Sequence, residues 1–495
     1  MKGSPMSFRT IRSRTAAAAA SLTALALSGC ATMGGPIPSA STPITQSEAQ
    51  QGAEANKEII QQFGAAMSGS QAQYVEGVGQ RIAVQSGLAT SPSAFKVAML
   101  NSSVNNAFAI PGGYVYTTRQ LVTLMNNEAE LAAVLGHEVG HVAARHSQRR
   151  QQAAQQNALL GLLGQVVGSV VGGGVGDLIS QGSQYTQLLT LKFSRSQELE
   201  ADALGQKYLV SAGYDPHAMA TLLTSLAAQN ALDSQLQGRG NATVPEWAST
   251  HPDPASRVSA AMQRAGAATG RTERDLFLTR VDGLMYGDDP QQGVIEGSSF
   301  IQPTMRLKFT APGGFYMVNG TQAVSINGQS GQAQFTLAPY SGNLETYVRQ
   351  AFSGLSNQQQ ISPSQIQRTT VNGIPAAYGT ARVQSSSGAV DVTVFAYEFA
   401  NNRAYHFVAI TKAGGAGVFN SMYQSVRRLS ASEAGSVIPR RIDVVTVGSR
   451  DTVRSLAARM AYTNAQEQRF RVLNGLSSSD RVTPGQKVKI VVRGS

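Results

Sequence analysis

The pattern of hydrophobic and polar positions divides the chain into regions of different periodicity. In the first region, apolar residues recur mainly with helical spacing, and two β-like stretches interrupt them. The predicted elements are, in order, a helix from about Ser47, strands at Phe95–Leu100 and Ala107–Thr118, and helices at Glu128–Arg150 and Ser194–Ser211. Residues 47–270 are therefore predicted to form a mainly α domain of the α+β class.

From residue 271 to residue 432 the pattern changes to alternating strands. Asn327-Gly328 and Asn372-Gly373 have the composition of hairpin turns, and helices are predicted near Asn343–Leu355 and Gly417–Leu429. We predict a second α+β domain with an antiparallel sheet, to which periodicity assigns no chemistry. The pattern of residues 440–495 is strand, helix, short helix and strand, so the predicted fold is multidomain and ends in a small βααβ module.

The formal net charge of +11 is not carried by the main body of the chain. Residues 1–29 carry four basic groups and no acidic group, and residues 440–495 carry eleven basic and four acidic groups. Residues 30–439 hold 25 charges of each sign. A nucleic-acid groove needs an excess of positive charge on the domain that forms it, so we predict that nucleic acid is not a partner.

The start of the chain has the pattern of an export signal. A basic segment precedes the apolar run Ala16–Leu27, which is too short to span a bilayer. Leu27-Ser28-Gly29-Cys30 then resembles the processing box of bacterial lipoproteins. The resemblance implies a signal peptide at residues 1–29, a lipidated Cys30, a tether at residues 30–46, and a place in the outer membrane facing the periplasm. The alternative is a free cysteine after an ordinary secretory leader.

The strongest chemical signal lies inside the predicted helix Glu128–Arg150. It is the run His137-Glu138-Val139-Gly140-His141, whose two histidines are four residues apart and share one helix face. Histidines at this spacing can bind a single metal ion, and a catalytic zinc site needs a third protein ligand. Glu198 and Asp202 share a face of the later helix and supply a ligand and a supporting carboxylate, whereas Glu200 points away and is predicted to be solvated.

Four motifs in this region resemble the BepA/HtpX-type zinc metalloprotease family, whose members are gluzincins. The matching motifs are His137-Glu138-x-x-His141, Ser194-Arg195-x-x-Glu198-x-x-Ala201-Asp202-x-x-Gly205, Asn106-Ala107-Phe108-Ala109-Ile110-Pro111-Gly112-Gly113, and Ser249-Thr250-His251-Pro252 with Arg257. The resemblance implies a zincin-type α+β peptidase domain that holds one Zn²⁺ per chain.

The resemblance also implies a role for each matching residue. The zinc ligands would be His137, His141 and Glu198, the general base Glu138, and the supporting carboxylate Asp202. The substrate-binding edge strand would comprise Asn106, Ala107, Phe108 and Ala109. His251 would either stabilise the oxyanion or occupy the fourth zinc position in a latent state, and the structural alternative is a buried or helix-capping histidine beside Pro252. His146 is predicted to be structural, and His217 and His406 to be surface or core residues.

Residues 157–180 are apolar and rich in glycine. A single membrane span there would separate His137 from Glu198, which are expected to bind one ion, and two spans need about 40 apolar residues. We therefore predict that this stretch does not span a membrane. It remains open whether it is a lid over the cleft, a patch resting on the membrane surface or a buried hairpin.

The C-terminal module resembles a LysM domain. The resemblance rests on Val444-Val445-Thr446-Val447, Asp451-Thr452, Ser455-Leu456-Ala457, Leu473-Asn474-Gly475 and Pro484-Gly485-Gln486. LysM domains bind N-acetylglucosamine glycans, so the resemblance implies peptidoglycan as a partner. Arg450 stands where the family usually has glycine, and the net charge of this module would also suit anionic headgroups.

Together these features predict a lipid-anchored periplasmic zinc endopeptidase that cuts unfolded or misassembled envelope proteins. One alternative is an envelope assembly factor or chaperone whose zinc site is latent. Another is a peptidoglycan-tethering protein with a vestigial peptidase domain, against which the intact Glu138 argues.

Overall fold

The computed structural model describes residues 42–63, 65–150, 152, 193–236, 251–320, 323–355, 361–385, 388–400 and 402–494. In the peptidase-like region the elements are α1 (Gln46–Gln62), α2 (Ser70–Ala83), β1 (Lys96–Leu100), β2 (Ala107–Ile110), β3 (Tyr114–Thr118), α3 (Arg119–Leu124), α4 (Glu128–Ala143), α5 (Arg195–Ser211), α6 (Ala218–Leu236), α7 (Pro254–Ala265) and α8 (Arg274–Val281). The three strands have the order β1-β3-β2, with β1 parallel and β2 antiparallel to β3.

Helix α4 forms the centre of this region. Asn127 caps it by accepting a hydrogen bond from the backbone N–H of Glu130, as the sequence predicts, and nearly every residue of α4 is buried. The predicted helix Glu128–Arg150 is not continuous, however. It stops at Ala143, and Arg145 has a left-handed backbone with φ of 51° before the chain becomes helical again at His146.

The apolar core of this region extends beyond the boundary predicted at residue 270. Helix α8 contributes Phe277, Leu278 and Val281 to it, and Leu284 completes the contact. At the other end, Ile44 packs against the same core, and its backbone N–H donates to Leu88 O at 2.9 Å. The last residues of the predicted tether therefore lie against the peptidase-like region.

The β-rich region that follows contains two antiparallel sheets. Its elements are β5 (Val294–Glu296), β6 (Ser299–Gln302), β7 (Leu307–Thr310), β8 (Tyr316–Asn319), β9 (Val324–Gly328), β10 (Gly331–Leu337), α9 (Leu344–Ser353), β11 (Ile366–Val371), β12 (Ile374–Ser385), β13 (Gly388–Ala400), β14 (Arg403–Lys412), α10 (Asn420–Ser425), β15 (Arg427–Arg428) and α11 (Ala431–Gly435). The strand orders are β11-β12-β13-β14-β10-β9-β8 and β15-β7-β6-β5. A core of Phe and Tyr side chains packs between them.

One of the two predicted Asn-Gly turns is confirmed and the other is displaced. Asn372 and Gly373 connect β11 to β12 with positive φ angles of 48° and 77°, as a two-residue hairpin turn requires. The β9–β10 hairpin instead turns at residues 329–330, because Gly328 pairs with Gly331 inside the ladder. A side chain at Gly328 would lie 2.6 Å from the ring of Phe315, so packing explains that glycine.

The C-terminal module has the predicted order of strand, two helices and strand, and the fold class predicted from the sequence is confirmed. Its elements are β16 (Arg440–Thr446), α12 (Val453–Ala457), α13 (Gln466–Leu473) and β17 (Lys487–Arg493), and β4 (Met285–Tyr286) adds a third strand to its sheet. Lys489 is fully buried, and its Nζ donates to Thr123 O and Met125 O at 2.7 and 2.5 Å. Its charge is therefore not available to an external partner.

Across the part of the chain that the structure describes, no helix is both long and apolar enough to cross a membrane. The predicted signal peptide, Cys30 and the apolar stretch 157–180 lie outside the described residues.

Candidate metal centre

Small residues bring the two helices of the site close together. A Cβ atom added at Gly140 of α4 would lie 2.9 Å from Ala201 O of α5, and one added at Gly205 would lie 3.0 Å from His137 N. Larger side chains at these positions would push the helices apart. The close approach places the carboxylates of α5 beside the histidines of α4.

Four side chains from three segments converge on one point. The Nε2 atoms of His137 and His141 are 3.0 Å apart, and Glu198 Oε1 lies 3.4 Å from His141 Nε2. His251 Nδ1 lies 3.3 Å from His137 Nε2 and 3.1 Å from Glu198 Oε1. One ligand atom from each residue lies within 4.8 Å of the others, and all four residues are buried.

These separations fit a tetrahedral zinc site. Zinc binds nitrogen and oxygen at about 2.0–2.2 Å, so the ligand atoms of a tetrahedral site lie about 3.3–3.6 Å apart. The side chains in direct contact also favour a divalent cation, because the carboxyl groups of Glu138, Glu198 and Asp202 outnumber the guanidinium of Arg257. The residues present therefore fit the metal that the sequence predicts.

Asp202 lies where the sequence places the supporting carboxylate. Its Oδ1 is 3.0 Å from His137 Nδ1, and a carboxylate this close favours the tautomer that has the proton on Nδ1 and leaves the lone pair of Nε2 for a metal. Arg257 holds Asp202 with two hydrogen bonds of 2.8 and 2.6 Å and also donates to Glu198. The pairing of Arg257 with two carboxylates was not predicted, because 55 positions separate it from Asp202.

The pKa shifts follow from burial opposed by this charge pattern. Burial raises the pKa of Glu138 and lowers that of His141 well below its ordinary value. Burial alone would raise the pKa of Glu198, but His251 and the other histidines hold it far below its usual range. Burial would likewise lower the pKa of His251, but the carboxylates of Glu198 and Glu138 raise it above the ordinary value.

Glu138 is buried within the cluster but is not one of its four converging groups. Its Oε1 lies 3.6 Å from His251 Nε2, beyond hydrogen-bond distance, and accepts no hydrogen bond from any described residue. A buried carboxylate oxygen without a donor is costly unless a further group binds there. This environment suits a residue that accepts a proton from a water molecule.

The sequence analysis left His146 and Glu200 outside the site, but His146 contacts His141 and Glu200 contacts His146. His146 Nδ1 lies 2.8 Å from His141 Nδ1, and His146 Nε2 lies 3.1 Å from Glu200 Oε2. Glu200, predicted to be solvated, is about two-fifths exposed and also binds Arg149. His217 and His406 lie elsewhere, His217 half-buried beside Asp215 and His406 buried in the β-rich region.

The predicted substrate strand lies at a sheet edge. β2 comprises Ala107–Ile110 and pairs only with β3, so its other side is open among the described strands. Asn106, just before β2, is buried and its backbone N–H donates to Thr118 Oγ1. Ala107 and Phe108 are buried, and Ala109 is partly exposed. The residues just before His251, which belong to its motif, lie outside the described residues.

Comparison with known proteins supports the peptidase domain and the LysM-like module that the sequence predicts. Residues 69–265 match peptidase family M48, and residues 445–491 match the LysM domain. The chain thus contains an M48 peptidase domain followed, after the β-rich region, by a C-terminal LysM domain.

The chain is similar to the beta-barrel assembly-enhancing protease of Yersinia pestis, with 34% identity over 226 residues, 44% of each chain. The protein of that name from Escherichia coli (strain K12) is 34% identical over 228 residues, 44% of this chain and 45% of the relative. The mitochondrial metalloendopeptidase OMA1 of Arabidopsis thaliana is 32% identical over 159 residues, 32% of this chain and 29% of the relative. The chain thus spans less than half the length of these relatives.

Proposed function

We propose that this protein is a zinc-dependent metalloendopeptidase of the bacterial cell envelope that cuts unfolded or misassembled envelope proteins. The observation that carries the proposal is the convergence of His137, His141 and Glu198 beside a buried Glu138 whose Oε1 accepts no hydrogen bond from the described residues. A metal site that only holds a fold together needs four closed ligands and no general base. The presence of Glu138 therefore favours hydrolysis.

In this proposal each side chain of the centre has one task. When bound, zinc polarises the substrate carbonyl and lowers the pKa of a water molecule. Glu138 accepts the proton of that water and later delivers it to the leaving amine, and its raised pKa makes it a stronger base. Asp202 keeps the proton of His137 on Nδ1, and Arg257 holds Asp202 and Glu198 in place.

The proposed substrate binds as an extended strand along β2. An open strand edge offers backbone hydrogen bonds to any sequence, which suits a protease that recognises unfolded segments. Proteins named as proteases that enhance β-barrel assembly are among the relatives, and this supports envelope proteins as substrates. Lipidation at Cys30 and peptidoglycan binding by the LysM domain would hold the enzyme beside them in the outer membrane, facing the periplasm.

The proposal is tested by the cleavage of an unfolded outer-membrane protein with purified full-length protein. We expect cleavage with zinc, none after chelation, and recovery when zinc is restored. Glu138→Gln should retain zinc and lose activity by about 10²–10⁴-fold, because the amide keeps the shape but cannot accept the proton. Glu54→Gln, on the exposed face of α1, is the matched control. Full activity in Glu138→Gln would contradict the proposal.

The second candidate is an assembly factor or chaperone with a latent zinc site. The position of His251 favours it, because Nδ1 of His251 lies among the atoms that would bind the metal. A fourth protein ligand would leave no position for water. If Glu138→Gln fully rescues the envelope defect of a deletion strain, the chaperone function is the physiological one.

Lipid anchoring has a separate test. Two or three acyl chains provide stable membrane attachment that one chain cannot. We expect mass spectrometry of the mature protein to find a lipidated Cys30 at its N-terminus. An unmodified Cys30, or a mature form that begins elsewhere, would contradict this part of the proposal.

A further inference from the structure

The end of helix α4 has a backbone feature that its sequence pattern does not predict. Arg145 is a non-glycine residue with φ of 51°, a conformation that costs about 1–2 kcal/mol for most side chains. In a continuous helix, His141 and His146 would be five residues apart and about 140° apart around the axis, so their rings would not meet. The turn at Arg145 instead places their Nδ1 atoms 2.8 Å apart.

The segment before α1 and the first turn of α1 hold this turn in place. Arg145 Nη2 donates to Thr42 O at 2.9 Å, and Arg145 Nε donates to Glu48 Oε1 at 3.2 Å. Arg145 Nη1 also donates to Ala143 O at 3.1 Å, which satisfies a carbonyl at the end of α4. Strained conformations persist where surrounding contacts determine them, and they often lie beside functional sites.

The donor and the acceptor of each hydrogen bond around His146 follow from the position of His141 Nε2. Nε2 of His141 faces the converging ligands, so its proton lies on Nδ1 and is donated to Nδ1 of His146. His146 must then carry its own proton on Nε2, which donates to Glu200 Oε2 at 3.1 Å. Glu200 also accepts from Arg149 at 3.2 Å. The ring of His141 is further fixed by Phe193, whose centroid is 3.8 Å away.

We propose that His146 is the positioning residue for His141: by accepting the proton of His141 Nδ1, it fixes the tautomer and ring orientation that present Nε2 to the metal. Glu200 and the Arg145 turn in turn hold His146. His146 thereby does for His141 what Asp202 does for His137. The inference rests on the proposed zinc site and assigns to His146 and Glu200 a role in metal binding.

Substitutions of His146 by leucine and asparagine separate this role from simple space filling. Oδ1 of asparagine can occupy the place of His146 Nδ1 and accept the same hydrogen bond, whereas leucine offers an apolar side chain of similar size. We expect His146→Leu to weaken zinc binding about 10–100-fold, as the loss of such a supporting partner does, and His146→Asn to recover most of that loss. Glu200→Ala should weaken binding less, because it touches His141 only through His146.

The measurement is the zinc dissociation constant of the full-length protein, by competition with a chromophoric chelator. The melting temperature of the chelator-treated protein is measured beside it, and His217→Asn, at a histidine paired with Asp215 away from the centre, is the control. Equal zinc affinity in His146→Leu and the unsubstituted protein would overturn the inference, as would equal weakening in the leucine and asparagine variants. If the unsubstituted protein cleaves but His146→Leu keeps its affinity, only the inference fails. If the unsubstituted protein binds no zinc, the proposed function fails with it.

Discussion

Buried histidines occur in two regions of this protein, and their surroundings differ. In the peptidase domain, His251 faces the carboxylates of Glu198 and Glu138, which raise its pKa although burial opposes this. In the β-rich region, His406 is also buried but has Tyr347 as its hydrogen-bond partner, and burial lowers its pKa to about 4. Burial alone therefore makes a histidine neutral. A buried site that favours a protonated histidine or a metal cation needs carboxylates directed at the same point.

The same contrast applies to the two cores. The β-rich region is filled by aromatic rings such as Phe309, Phe335 and Phe407, which exclude charge. The peptidase domain instead keeps Glu198, Asp202 and Arg257 fully buried in direct contact with one another. Buried charges of this kind often contribute little to stability compared with apolar residues of similar volume. Their presence at the candidate metal centre is better explained by the chemistry that we propose for it.

The largest expected effect comes from removing a carboxylate of the centre. Glu198→Ala should lower zinc affinity by more than the roughly 100-fold that marks the upper range for a supporting residue, because it removes a proposed ligand. Elemental analysis of dialysed protein checks this, with Glu200→Ala as the companion variant. Full zinc occupancy in Glu198→Ala with loss in Glu200→Ala would reverse the assignment of these two carboxylates.

The next effect concerns the guanidinium that balances the centre. Arg257→Met should destabilise the metal-free peptidase domain by about 3–5 kcal/mol, because it leaves two buried carboxylates without their partner. Zinc should restore part of this stability, since a divalent cation supplies the missing positive charge. Thermal unfolding with zinc and with chelator measures both effects. If Arg257→Met is as stable as the unsubstituted protein in chelator, the ion pairs of Arg257 do not stabilise the metal-free domain.

The β-rich region should lose stability in acid through His406. Its folded pKa of about 4 lies below the ordinary value of 6.5, so the unfolded state binds more protons between these values. Stability therefore falls as the pH drops from about 6.5 to 4, by about 3 kcal/mol in total. His406→Leu should flatten this part of the pH dependence, and Tyr347 Oη would keep Ala404 O as its acceptor. An unchanged slope in the variant, measured by denaturant unfolding, would exclude His406 as the cause.

The remaining prediction concerns His251, for which the sign of the change in cleavage rate is informative. If its imidazole occupies the fourth metal position at rest, His251→Ala should raise basal cleavage, because a position opens for water. If His251 instead donates a hydrogen bond to the oxyanion, the same change should lower kcat by about 10²–10³-fold. We expect a rise. A fall of that size with zinc retained would assign His251 to the oxyanion.

Local sequence patterns determined much of this protein. The spacing of His137 and His141 placed both on one helix face, and the phase of α5 separated Glu198 from Glu200. Asn127 capped α4, and Asn372-Gly373 formed the hairpin turn between β11 and β12. The order of elements in the C-terminal module and the fold class followed in the same way. Each of these features depends on residues within a turn or two of helix, or on one hairpin, so periodicity and capping are enough to find them.

The tertiary structure alone decided which distant groups meet. It paired Arg257 with two carboxylates and broke the long helix at Arg145 so that His146 reached His141. It also brought His251, which only the family resemblance had linked to the site, to within 3.3 Å of His137 across 114 positions. It also packed Lys489 of the LysM domain against backbone carbonyls of the peptidase domain. The physical reason is that such contacts are set by how closely helices pack and which charges must be neutralised once buried. Both depend on residues far apart in the chain, which no local pattern contains.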